Sequence, residues 1–446
     1  MKPDPIAAYL RKRADLARWP LSREVAEPVD LVIVIPCLAE RATLFDTLAD
    51  LSTQPSTLLA RTLVLCVLNN RPPGVARAED IAENLDTLAV LSARARELRP
   101  LRAVWVDAAS PGRELPAKAG VGLARKIGLD WAAHLLHQQG RPGGGMVCLD
   151  ADTRVDADYL PVLHAFFEDE RRWGAVLDYA HPLDVPETRA AILCYELFLR
   201  YHELGLCHAG SPYAFPTLGS AMACTPRAYA AVSGMNQRQA GEDFYFLQEL
   251  AKTGDIARVA GTTVHPSARA SHRVPFGTGR RVQRFIGGGH EEYQLYHPAS
   301  YEILGRWLSA VAAHLASPAG ALLERAEAIA PCLRSFLEAH GFAESWTRLQ
   351  RQAPTPEALL CQFHRWFDAF RTLKLIHYLR ENAHPDLDMA EALRVLLARE
   401  GGRPAEISPE FRTNLDAQAR VLMHLRRRCT ATVQVHGAGT LGVPSP

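Results

Sequence analysis

Two carboxylates one residue apart, Asp150 and Asp152, close the apolar run Met146-Val147-Cys148-Leu149. A buried strand ending this way delivers two hard oxygen donors to the carboxyl edge of a sheet, where open α/β folds place their ligands. Such donors suit Mg²⁺ or Mn²⁺ carrying a phosphate-bearing substrate. The same aspartates would also serve to cap a strand-to-helix turn. A second acidic pair, Glu242-Asp243, follows Gly241 in the expected first turn of a helix. Acids favour that place through the helix dipole alone, and a catalytic carboxylate would sit there too. Cations are spaced to meet an anion: Lys118 and Arg125 bracket Gly120 and Gly122 near an expected helix start,. That stretch lacks the ending of a Walker A loop and does not follow the first strand, as a dinucleotide fingerprint would. Arg280, in the basic loop 275–281, either holds phosphate or faces water.

These groups need a sheet to hold them. The β-branched run Leu31–Pro36 reads as a central parallel strand, followed by helical spacing from Glu40 to Leu51,. A second apolar run, Leu63–Leu68, stops at Asn69-Asn70 and a double proline,. A polar helix is expected over 78–98, then a third strand, Ala103–Val106, ending at Asp107. The strand before Asp150 is the fourth. Strands alternating with crossover helices predict an α/β fold with a doubly wound, mostly parallel, Rossmann-like sheet. A Gly/Pro/Ser-rich loop over 210–220, ending at Ser220, reads as a pocket wall,. From about Tyr301 strand signals vanish, and an all-helical C-terminal domain is expected. Thr355-Pro356 and Ser408-Pro409 start helices, and Leu359, Phe363, Trp366, Phe370 and Leu373 share one apolar face,. The expected divisions are an N-terminal helix and linker over 1–29, the α/β domain over 30–295, the helical domain over 300–429 and a flexible tail over 430–446.

A chain of 446 residues exceeds one ordinary compact core,. Its net charge of +1 leaves no cationic excess to cover a nucleic-acid backbone,. Nine scattered cysteines without a C-x-x-C pair suit free thiols in a reducing compartment,. No apolar run reaches the roughly 18 residues of a membrane span, and the polar N-terminus lacks the apolar core of a signal peptide. A cytoplasmic location is expected.

The order of these pieces resembles the family-2-like nucleotide-sugar glycosyltransferases of the GT-A fold. The resemblance rests on Val34-Ile35-Pro36-Cys37-Leu38-Ala39-Glu40, the segment from Lys118 to Gly128, Asp150-Ala151-Asp152, Gly219-Ser220-Ala221-Met222 through Ser233-Gly234-Met235, and Glu242-Asp243. It covers about residues 30 to 285. It implies that Asp152 binds a divalent metal, Mn²⁺ or Mg²⁺, bridging the donor diphosphate. Asp150 then reaches the metal through water, or the donor's sugar or ribose. Pro36 and Glu40 line the nucleotide pocket, Ser220 lies on the acceptor side, and Asp243 or Glu242 removes the acceptor hydroxyl's proton. His272, or else His265, completes the metal shell.

Three departures matter. Asn69-Asn70 stands where the family commonly carries an aspartate pair that holds the nucleobase. Ala39 replaces an asparagine in the first motif. Gln283-Arg284-Phe285 only echoes the processive Q-x-x-R-W signature. The implied activity is metal-dependent, non-processive hexosyl transfer from a nucleotide-sugar donor to a hydroxyl acceptor. The alternatives are a sugar-phosphate nucleotidyltransferase and a non-catalytic scaffold. The first would carry a Gly-rich loop straight after strand one, where this chain has Pro36-Cys37-Leu38-Ala39-Glu40.

Overall fold

The computed structural model describes residues 4–271, 277–399, 407–408 and 410–431. The chain divides into two compact units, one of residues 1–182 and 217–283, the other of 183–216 and 284–446.

The first unit is built on eight strands: β1 (Leu31–Cys37), β2 (Thr62–Asn69), β3 (Ala103–Ala108), β4 (Gly145–Cys148), β5 (Arg154–Val155), β6 (Gly174–Tyr179), β7 (Met222–Cys224) and β8 (Ile256–His265). Every residue of β1 and β2 is buried, as the unbroken apolar runs require of strands covered on both faces,. Their order in the sheet is β3-β2-β1-β4-β7-β6-β8-β5. The first half, β3-β2-β1-β4, is parallel throughout. This half is consistent with the Rossmann-like core expected.

The second half departs from it. β7 runs antiparallel to both β4 and β6, β6 and β8 are parallel, and β5 is antiparallel to β8. The sheet is therefore mixed: four of its seven pairings are parallel, and the three antiparallel ones depart from the expectation. The reason is physical: an apolar pattern reports which face of a strand is buried and carries no sign of direction. At three residues of small or flexible type, Met222-Ala223-Cys224, β7 offers even less. The direction matters, because pairing of Cys148 with Met222 sets the start of β7 beside the end of β4. A parallel β7 would put its start at the opposite edge.

The second unit is helical around one large apolar core. Helix Pro186–His208 contributes Leu193, Leu197 and Tyr201, all fully buried, and Glu196 meets Arg426 in a bidentate pair at 2.7 Å. Trp307, Phe342, Trp346 and Phe363 form an edge-to-face and stacked cluster,. Two short strands, β9 (Gln294–Leu295) and β10 (Leu387–Asp388), make an antiparallel ladder, so this part is not wholly helical. The Thr355 side chain caps its helix by accepting from Ala358 N–H,. The apolar face expected to run through Leu373 is interrupted: one helix stops at Trp366 and the next starts at Ala369, leaving Phe370 36% exposed. Pro409 lies outside the described residues. No helix among the described residues is long and apolar enough to cross a membrane.

Candidate active site

Because β1 and β4 are parallel and in register, their carboxyl ends open on one edge, with Glu40 following β1 and Asp150 and Asp152 following β4. The antiparallel β7 brings Ser220 to the same edge. Its hydroxyl donates to Asp150 Oδ2 at 2.6 Å and accepts from Thr153 Oγ1 at 3.0 Å. β5 lies against the end of β8, which directs the chain after β8 back towards Asp152.

The acids gather around two arginines. Arg125 points inward from helix Val121–Gln138, donating from Nη2 to Asp150 Oδ1 at 2.5 Å and from Nη1 to Glu242. Its side chain and that of Glu242 are 4% and 3% exposed. A Cβ at Gly219 would collide with this guanidinium, so only glycine leaves it room. Gly122 lets the helix start approach the backbone of Asn236 and Arg238 within contact distance. Asn236 in turn donates to the Glu242 carbonyl at 2.8 Å. Gly120 and Gly122 thus seat the helix start on the segment leading to Glu242, Gly128 lies against Val34 and Val67 of the sheet, and Arg125 turns towards carboxylates. Lys118 is exposed, and its carbonyl accepts from Gln239 at 3.0 Å.

Arg269 forms the second centre. Its Nε donates to Asp152 Oδ2 at 3.0 Å, and its Nη2 bonds Glu40 and lies 2.9 Å from the same Asp152 oxygen. No local motif marks Arg269; only the β5–β8 pairing puts it here. It is the residue that sequence reasoning missed.

Asp243, next to Glu242, is half-buried. One of its carboxylate oxygens accepts from Phe244 N–H at 2.8 Å. Burial pushes its carboxyl above the usual aspartate range; Arg125 opposes that rise, and the charge of Asp150 adds to it,.

Other candidates are engaged elsewhere. Asn69 is buried and donates its amide to the carbonyls of Cys37 and Val67 at 3.0 and 3.1 Å. Asn84 braces it, donating to the Asn69 carbonyl and accepting from Ala39 N–H at 2.9 Å. Asp107 closes the turn after β3, accepting from Ala109 and Ser110 N–H. Pro36 is buried within β1. Arg280 is exposed and donates to Gln283 at 3.0 Å. His265 bonds the Ala180 carbonyl through Nδ1 and Asp156 through Nε2, both at 2.9 Å, which leaves neither ring nitrogen for a metal. His272 lies outside the described residues.

Among the described residues, no three His, Cys, Asp or Glu side chains converge as a metal centre. Mg²⁺ and its analogues, however, draw only one or two carboxylates from a protein when a phosphate supplies the remaining ligands. Asp150 and Asp152 fit a cation that arrives with a diphosphate; they do not form a self-contained centre.

No protein-family model matches the chain, and no curated protein matches it. Among solved structures it is similar to residues 1–349 of S. aureus TarS in complex with UDP-GlcNAc, at 11% identity over 91% of each chain with a TM-score of 0.35. It is also similar to the mannosyltransferase PcManGT from Pyrobaculum calidifontis in complex with GDP-Man and Mn²⁺, at 13% identity over 96% of this chain and 94% of that one, with a TM-score of 0.30. Similarities this low transfer neither a residue's role nor an activity.

Proposed function

We propose that the acid-lined edge of the first unit transfers a sugar from a nucleotide-sugar donor to a hydroxyl acceptor. The observation that carries this reading is the division of labour within Glu242-Asp243. Glu242 is buried and committed to Arg125, while Asp243 stays half-buried beside Asp150 with its carboxyl more basic than usual. A carboxylate raised in this way is suited to accept a proton near neutral pH.

In the proposed step, Asp243 takes the proton of the acceptor hydroxyl as its oxygen bonds to the anomeric carbon. The bond from that carbon to the diphosphate breaks, and its electron pair leaves on the phosphate oxygen. Asp152, with Asp150, would hold a divalent cation, which when bound neutralises charge on the departing diphosphate. Ser220 and Arg125 fix the Asp150 carboxylate. Glu40, at the end of β1, stands where the nucleotide would lie. Among the enzyme readings, nucleotidyl transfer is weaker, since the turn after β1 has no glycine to cradle a triphosphate.

The test is Asp243→Asn assayed by donor hydrolysis and transfer. A base contributes about 10²–10⁴-fold, so kcat should fall by that order with donor KM nearly unchanged. The acid limb of the wild-type pH profile should lie above the ordinary aspartate value of about 3.9. The stability sign is opposite to the activity sign. A raised carboxyl pKa favours the folded state below the unfolded value, and that contribution is lost as pH rises through the folded value. At neutral pH Asp243→Asn should therefore be at least as stable as wild type. Lost activity together with lost stability would make Asp243 a structural residue.

A further inference from the structure

Glu40 and Asp152 come from the ends of different strands, yet one guanidinium serves both. Arg269 meets the same Asp152 oxygen from Nε and Nη2, at 3.0 and 2.9 Å, while Nη2 also bonds Glu40. The carboxylate side chains are 12% and 20% exposed, and that of Arg269 is 34% exposed. The guanidinium thus covers the outer acids from the solvent side without being locked in the core.

This arrangement sets a conflict. A divalent cation bonded to Asp152 Oδ2 would meet the positive charge of Arg269 on the same oxygen,. Both cannot hold Asp152 Oδ2 together, and a cation on the other carboxylate oxygen would still face the guanidinium charge,. A diphosphate resolves the conflict, because its oxygens accept the bidentate guanidinium fork as readily as a carboxylate does. It also supplies ligands to the cation.

We infer that Arg269 is a latch that keeps free divalent cation off Asp152 and is drawn away by a diphosphate. Cation and diphosphate then enter together, and the freed guanidinium helps hold the diphosphate. The latch rests on the proposed role of Asp152 as a metal ligand, but it does not require that the diphosphate carry a sugar.

Two binding measurements on the full chain test it. In phosphate-free buffer, Mn²⁺ is titrated and the loss of free-ion paramagnetic resonance signal recorded. Arg269→Gln should bind Mn²⁺ at least tenfold more tightly than wild type, and the added Asp152→Asn should remove that gain. In metal-free buffer, calorimetry with inorganic pyrophosphate should show binding by wild type, weakened at least tenfold in Arg269→Gln. Arg269→Lys, which keeps the charge without the fork, should fall between them in both measurements. It carries the test if Arg269→Gln does not fold. Equal Mn²⁺ affinity in wild type and variants, including no binding by any, overturns the latch. So does pyrophosphate affinity indifferent to Arg269. Both expected results without turnover of any nucleotide sugar would leave the latch standing and defeat the sugar-transfer reading.

Discussion

The two arginine centres use the same chemistry in different surroundings. Around Arg125 the guanidinium and Glu242 are nearly sealed from water, on a helix packed beneath the sheet edge. Around Arg269 the guanidinium is one-third exposed, on the chain that leaves β8. Breaking a buried ion pair strands a charge where water cannot reach it, whereas an exposed pair is readily replaced by hydration. The inner centre is accordingly framework, and the outer one is free to exchange partners.

The largest effect should come from breaking the inner centre. Arg125→Ala leaves Glu242 and Asp150 facing each other without a counter-ion, and urea unfolding should show a loss of about 3–5 kcal/mol. The matching change outside, Arg269→Gln, should cost clearly less in the same measurement, because the side chains of Arg269, Asp152 and Glu40 are 34%, 20% and 12% exposed,. Equal losses would erase the distinction between framework and exchangeable contact. The smallest effect concerns the turn that carries Glu40. Ala39 has φ of 51°, a left-handed conformation that costs an L-residue with a Cβ roughly 1–2 kcal/mol,. Ala39→Gly should raise stability by about 0.5–1 kcal/mol, the relief being partly offset by glycine's greater entropy in the unfolded chain. A loss of stability would mean that the Asn84 bond to Ala39 N–H already relieves the strain.

The parallel half of the sheet was legible because buried parallel strands are continuous apolar runs and each ends in a polar signal. Leu31–Cys37 before Glu40 and Gly145–Cys148 before Asp150 are the clearest cases. Asp150, Asp152, Glu242 and Ser220 stand out in the sequence by residue type and order, and the structure joins Asp150, Glu242 and Ser220 in one hydrogen-bonded cluster with Arg125. Strand direction was not legible, and with it went the reason Ser220 meets Asp150. Arg269 left no trace because its partners are 117 and 229 residues away. Nor does composition distinguish a polar residue facing a ligand from one facing backbone. Asn69 and Asp107 stand at strand ends as binding residues would, but their side chains satisfy main-chain groups. The position of Ala39 is instructive in the same way. The asparagine of the resembled motif tolerates the left-handed conformation, so its replacement by alanine marks a backbone demand as well as a lost polar group.

On the proposed reading, binding of a nucleotide sugar depends on Asp152 and its neighbours. That dependence is tested most directly by the melting temperature of wild type and Asp152→Ala with uridine and guanosine diphosphate sugars, each with and without Mn²⁺. A donor at a hundredfold over its Kd adds about 2.7 kcal/mol. One donor series with Mn²⁺ should raise the wild-type midpoint by several degrees and leave Asp152→Ala unmoved. No rise with either series, or an equal rise in the variant, would contradict the reading.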